Sequence, residues 1–167
     1  DNGALPTFDG RRSGGLRGSK LSLYEGGIRL PFIARWPGRI PSGRVDDQTV
    51  LGAVDLLPTL ATMARAKVPG DVAFDGENIS AALEGKLVRR VRPLFWEYGR
   101  NEKSFSYPPN KRDRSPNLAV RDGRWKLLVN ADGSNAQLFD VVTDRFETDD
   151  LAGPQAGHVQ RLSLIHI

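Results

Sequence analysis

The sequence predicts a chain of mixed helices and strands whose second half, from about residue 91, is a small α+β subdomain of antiparallel strands with a closing helix. Three observations predict it. The runs Leu118-Ala119-Val120-Arg121 and Trp125-Lys126-Leu127-Leu128-Val129 flank Asp122-Gly123, a strong signal for a two-residue hairpin. Gln137-Leu138-Phe139-Asp140 supplies a further short strand, and residues 155–164 read as the closing helix. Ahead of residue 91, a strand-like run is followed by a helical period, so that half has a different texture.

Taken in order, residues 3–19 mix glycines with Pro6, Arg11, Arg12 and Arg17. That is loop chemistry, because glycine tolerates positive φ and lets backbones approach closely. Residues 29–36 are apolar in their middle and stop at Pro37-Gly38, which predicts a strand. A turn-rich connection runs over 37–47. Apolar residues at Leu57, Leu60, Ala61, Ala64 and Val68 predict a helix over 54–68. Asp55 stands near its start and Pro58 in its first turn, where a missing N–H costs least. Pro69-Gly70 ends it. Residues 79–83 predict a short helical turn closed by Gly85, and 93–98 a strand. Residues 99–117 are polar, basic and broken by prolines, a loop longer than ordinary connections.

The 167 residues suffice for a buried core. With 39% hydrophobic and 26% charged residues, the chain falls among globular proteins and outside the disordered class. No apolar run approaches the roughly 18–20 residues of a membrane-spanning helix. The net charge of +4 is mild and describes solubility better than a nucleic-acid partner. The chain contains no cysteine, which excludes disulfides, thiolate metal sites and a cysteine nucleophile within it. Asp1-Asn2-Gly3 at one end and Ser163-Leu164-Ile165-His166-Ile167 at the other suggest a fragment, the last five residues matching no expected pattern.

Few residues suggest chemistry singly. Asp1 and Asn2 are adjacent oxygen donors suited to a hard cation such as calcium or magnesium, although Asp-Asn-Gly is also a common turn. Lys20 follows a glycine-rich loop, the setting of an anion cradle, at a spacing unlike that of a nucleotide P-loop. Glu25, in Tyr24-Glu25-Gly26-Gly27, suits either a general base or a turn anchor. His158 and His166 have no paired acid or serine motif and read as surface residues. No Gly-x-Ser-x-Gly, HExxH or CxxC pattern occurs.

Their joint order is more specific. Asp1-Asn2-Gly3, Leu16-Arg17-Gly18-Ser19-Lys20 and Tyr24-Glu25-Gly26-Gly27-Ile28-Arg29-Leu30-Pro31-Phe32-Ile33 occur in one series. Arg35-Trp36-Pro37-Gly38-Arg39-Ile40-Pro41, Asp55-Leu56-Leu57-Pro58-Thr59-Leu60 and Asp75-Gly76 follow. The series ends with Val120-Arg121-Asp122-Gly123-Arg124-Trp125-Lys126-Leu127 and Leu138-Phe139-Asp140 with Asp144 and Glu147. Over roughly residues 1–162 this resembles the sulfatase family.

The resemblance implies an α/β fold of the alkaline-phosphatase-like superfamily. Residues 1–90 would be the C-terminal part of its catalytic domain, and 91–167 the antiparallel-sheet subdomain with a terminal helix. It implies hydrolysis of sulfate esters, on a sulfated small molecule or a sulfated glycan, with a calcium ion (or magnesium). The nucleophile would be a formylglycine made in a Cys/Ser-x-Pro-x-Arg motif that this chain lacks. By motif match, Asp1 and Asn2 are the second half of the metal ligand set and Lys20 is the catalytic, sulfate-contacting lysine. Glu25 and Arg29 support the loop and strand. The chain by itself is then expected to be inactive, and family likeness points to a periplasmic or secreted parent. Where many members carry a histidine after Asp-Asn-Gly, this chain reads Ala4-Leu5-Pro6-Thr7-Phe8, which leaves the substrate open. In the 99–117 loop, Arg100, Lys103, Lys111, Arg112 and Arg114 stand with Phe105 and Tyr107, suiting either a solvated loop or a grip on an anionic glycan. The other readings are a phosphonate or phosphodiester hydrolase of the same superfamily, and a non-catalytic basic module binding glycan or nucleic acid.

Overall fold

The computed structural model describes residues 3–5, 8–98 and 110–166. They form two compact units, one from the described residues of Asp1–Pro31 and Pro93–Ile167, the other Phe32–Arg92.

The first unit is built on a four-stranded antiparallel sheet in the order β1 (Leu94–Glu97), β2 (Leu118–Asp122), β3 (Trp125–Val129), β4 (Gln137–Asp140). Asp122 pairs with Trp125, so the hairpin turns on Gly123 and Arg124, one residue later than the Asp-Gly dipeptide suggests. Gly123 takes φ 59°, which a side chain would resist. Both faces of the sheet are covered. Val120, Leu127, Val129 and Leu138 pack with Leu162 of the C-terminal helix (Ala156–His166). Ala119, Leu128 and Phe139 pack with Leu23 and Tyr24 from the first thirty residues. Strand alternation puts Lys126 on the same face as Leu128, toward Leu23 and Tyr24. Two-sided burial is why these strands read as nearly continuous apolar runs. On the side of Leu23 and Tyr24 a single helical turn, α1 (Glu25–Ile28), follows directly.

In the second unit the helix expected over 54–68 is shorter. A 3-10 turn, Ala53–Asp55, leads into α2 (Leu56–Ala64), which stops at Arg65 in the left-handed region with φ 54°. Its inward face also differs from the apolar period. Pro58, Thr59 and Met63 are buried, whereas Leu57 and Leu60 are exposed. The cause is polar. The Asp55 carboxylate accepts from the N–H of Glu77, and the Thr59 hydroxyl from that of Ile79, both around the start of α3 (Ser80–Leu83). These bonds turn that side of α2 inward. Gly85, at φ 102°, closes α3 as expected.

The strand expected over 29–36 does not form. A strand exists only through its ladder, and none of the described residues pairs with this one. Leu30, Phe32, Ile33 and Trp36 are exposed.

Candidate functional site

Lys20 ends a loop wound tightly around α1. The N–H of Gly26 donates to the Arg17 carbonyl at 2.7 Å, and that of Ser22 to Ser19 at 3.0 Å. A Cβ on Gly26 would strike the carbonyl oxygens of Gly18 and Arg17, and one on Gly27 those of Ser22 and Ser19. Only glycine permits this approach. Gly3, at φ 82°, lies against the Gly27 backbone with equally little room. The Lys20 N–H donates to the Ala4 carbonyl at 2.7 Å. The residues just after Asn2 are thus fastened to the loop that carries Lys20, whose side chain is half-buried.

Beneath the loop is a buried ion cluster. Lys126 Nζ donates to Glu25 Oε1 at 2.9 Å and forms an ion pair with Glu147 Oε1, also at 2.9 Å. The Glu25 N–H donates to Glu147 Oε2 at 2.6 Å. All three residues are at most 2% exposed. Burial acts to raise the pKa of Glu25, but the charge and hydrogen bond of Lys126, with Arg121 and Arg29, hold it below the ordinary glutamate value. At Glu147 burial prevails over Lys126 and the Glu25 N–H, and its pKa is raised. Arg17 lies 3.9 Å over the Tyr24 ring and donates to the Glu147 carbonyl at 2.9 Å. The Tyr24 hydroxyl donates to Gln137 on β4 at 2.8 Å.

Above the cluster opens a cavity of about 750 Å³. Its walls come from Ala4 and Leu5, from the loop through Ser19, from Asn110, Arg112 and Asp113, and from Phe146 to Thr148. The Ser19 hydroxyl is buried there with no hydrogen-bond partner among the described residues. The Leu23 N–H donates to Ser115 Oγ at 2.8 Å, tying the Arg112 segment to the Lys20 loop. Arg112 keeps 76% of its side chain exposed, with Nε 3.5 Å from Asp113.

Asp1 and Asn2 lie outside the described residues, as do Arg100, Lys103, Phe105 and Tyr107. Among the described residues no group of three or more histidine, aspartate or glutamate side chains is placed to hold a metal. As donors, Asp1 and Asn2 offer oxygens only, the chemistry of a hard cation. Glu25, at the start of α1, and Arg29, just past its end, are 3.6 Å apart in an ion pair. His158 packs beside Trp125, ring centroids 4.5 Å apart. Sequence reasoning passed over Lys126. Its signal was the one charged residue within an otherwise apolar strand.

A family model described as N-sulphoglucosamine sulphohydrolase, C-terminal, matches residues 19–162. Human arylsulfatase A is 37% identical over 136 residues, covering 80% of this chain and 24% of that protein. N-acetylgalactosamine-6-sulfatase of Sus scrofa is 41% identical over 105 residues, covering 59% of this chain and 19% of that protein. Mouse steryl-sulfatase is 36% identical over 93 residues, covering 53% and 15%. The chain therefore spans between 15% and 24% of the length of these relatives. A solved structure, described as part of the metabolism of multiple glycosaminoglycans by Bacteroides thetaiotaomicron, superposes with a TM-score of 0.68 at 24% identity. It covers 91% of this chain and 31% of its own, and shows the shared fold. With a family model matched over most of its residues, the chain belongs to the sulfatase family and covers the C-terminal portion of that fold.

Proposed function

We propose that this chain carries part of the active site of a sulfuric ester hydrolase, with Lys20 as the lysine that contacts the substrate sulfate. Asp1 and Asn2 supply two oxygen ligands of a calcium ion, whose positive charge offsets negative charge gathering on the sulfate oxygens. The formylglycine nucleophile and the remaining ligands belong to parts of the enzyme outside this chain. Residues 1–90 are the end of its catalytic α/β domain and 91–167 its antiparallel-sheet subdomain. The observation that supports this best is the bond from the Lys20 N–H to the Ala4 carbonyl. It holds the lysine loop next to the residues that follow the Asp-Asn pair, and Leu16 to Ser19, immediately before Lys20, line a cavity of about 750 Å³. That volume suits a small-molecule site, and the buried Ser19 hydroxyl suits a polar ligand.

The substrate is a sulfated small molecule or a sulfated sugar. The test uses the full-length enzyme. Lys20→Ala lowers aryl sulfate turnover by about 100-fold or more, the scale of losing one donor to a developing oxyanion, and leaves calcium affinity unchanged. Asp1→Ala and Asn2→Ala remove calcium affinity and turnover together. Calcium titration beside a turnover assay reads both. Near-normal turnover in Lys20→Ala would return Lys20 to an ordinary surface cation.

A further inference from the structure

We propose that Glu147 is a positioning residue for the sulfate-contacting loop, acting on Lys20 through α1 and Arg17; this rests on the function proposed above. Two hydrogen bonds and an ion pair converge on it. Its carboxylate accepts the Glu25 N–H at 2.6 Å, its Oε1 meets Lys126 at 2.9 Å, and its carbonyl accepts Arg17 at 2.9 Å. Arg17 and Glu25 bracket Lys20 in sequence, and the Gly26 N–H to Arg17 carbonyl bond joins the brackets. Glu147 thus holds both ends of the loop to the sheet, and it lines the cavity itself. Its backbone sits at φ 56°, in the left-handed region that residues with a Cβ seldom occupy. Outliers of this kind persist where the surroundings over-determine them, and they gather at functional sites.

The charges distinguish this from an ordinary buried ion pair. Two carboxylates, Glu25 and Glu147, share the ammonium of Lys126 on β3. Among the described residues, Arg121 on β2, Arg29 just after α1, and Arg17 and Tyr24 on the loop are the other charged and titratable groups around them. With its pKa raised by burial, Glu147 is the member that takes up a proton first as pH falls. Lys126 then pairs with Glu25 alone, the hold on the Glu25 N–H weakens, and the loop loses its register against the cavity.

In the full-length enzyme, Glu147→Gln keeps the volume but removes the charge. It lowers kcat/KM for a small aryl sulfate and weakens binding of inorganic sulfate, each by about tenfold at neutral pH, a modest misplacement effect. Calcium affinity stays within about twofold of wild type. The wild-type kcat/KM profile falls on its acid side with a pKa above the ordinary value of about 4.3, and that limb is absent from the variant. A variant with wild-type sulfate affinity, kcat/KM and acid limb overturns the positioning role alone. A wild-type enzyme that neither binds sulfate nor turns over a sulfate ester overturns the proposed function, and this role with it. If the variant does not fold, the wild-type profile decides, and an acid limb at or below the ordinary carboxylate value overturns the role.

Discussion

Asp55 has no exposed surface, and three donors converge on its carboxylate: the N–H groups of Gly52 and Glu77, each at 2.7 Å, and the guanidinium of Arg90. Burial acts to raise its pKa, but the Arg90 hydrogen bond and the two backbone donors prevail and lower it. A depressed folded-state pKa gives stability that is present above the unfolded value of about 3.9 and lost as pH falls through the folded one. Asp55 therefore contributes fully at neutral pH and ceases to only in acid below about pH 4. Asp55→Asn leaves Arg90, itself 6% exposed, without its counter-ion. Such a loss costs about 3–5 kcal/mol, to be read from urea unfolding of the chain. A change under 1 kcal/mol would mean that Arg90 finds water instead. The sequence placed Asp55 at the head of a helix, but Arg90 lies 35 residues on, and no local pattern links the two. Lys126 was hidden for the same reason. Its partners are 101 residues before it and in a loop beyond β4, so the strand pattern alone could not reveal what a lysine does within it.

At the scale of elements, hairpins were legible because their information is local. The Asp-Gly turn and the apolar runs on either side fix β2 and β3 to within one residue. The run at 29–36 has the right composition but no ladder partner among the described residues, and a strand cannot be read from one edge. For α2 the apolar period gave the helix but not its orientation, because Asp55 and Thr59 outbid Leu57 and Leu60 for the interior. The 3-10 turn Lys111–Asp113 was not anticipated within a long loop. It is fastened by the Asn110 side chain, which accepts the Arg112 N–H at 3.2 Å, and it sets Arg112 in the cavity wall. On the proposed function, replacing Lys111, Arg112 and Arg114 by glutamine in the full-length enzyme weakens use of a polysulfated oligosaccharide by about 10-fold, the scale of losing one charge-assisted contact. A small aryl sulfate is unaffected, and the salt dependence for the oligosaccharide flattens. Steady-state kinetics on both substrates at two ionic strengths check this. Equal losses on both would indicate a folding defect.

Across the whole molecule the two units differ in what they bury. The sheet unit encloses Leu23, Tyr24, Leu94, most of β2 to β4, and Leu162. The unit Phe32–Arg92 buries few apolar side chains, among them Pro58, Met63, Ile79 and Ala82, while Phe32, Ile33, Val45, Leu57 and Leu60 face outward. Opening energies follow buried apolar contact. Hydrogen exchange on the isolated chain is therefore expected to protect β2 and β3 amides about 100-fold or more beyond those of residues 53–83. Equal protection in both regions would contradict this. The buried cluster also has a consequence in time. Glu25 is synthesised 101 residues before Lys126, and at about 5–20 residues per second the ribosome needs roughly 5–20 s to deliver the counter-ion. During that interval the glycine-laced turn has neither its ammonium nor its sheet. Loop and lysine thus reach their working geometry late in synthesis, when β3 closes over a segment made long before.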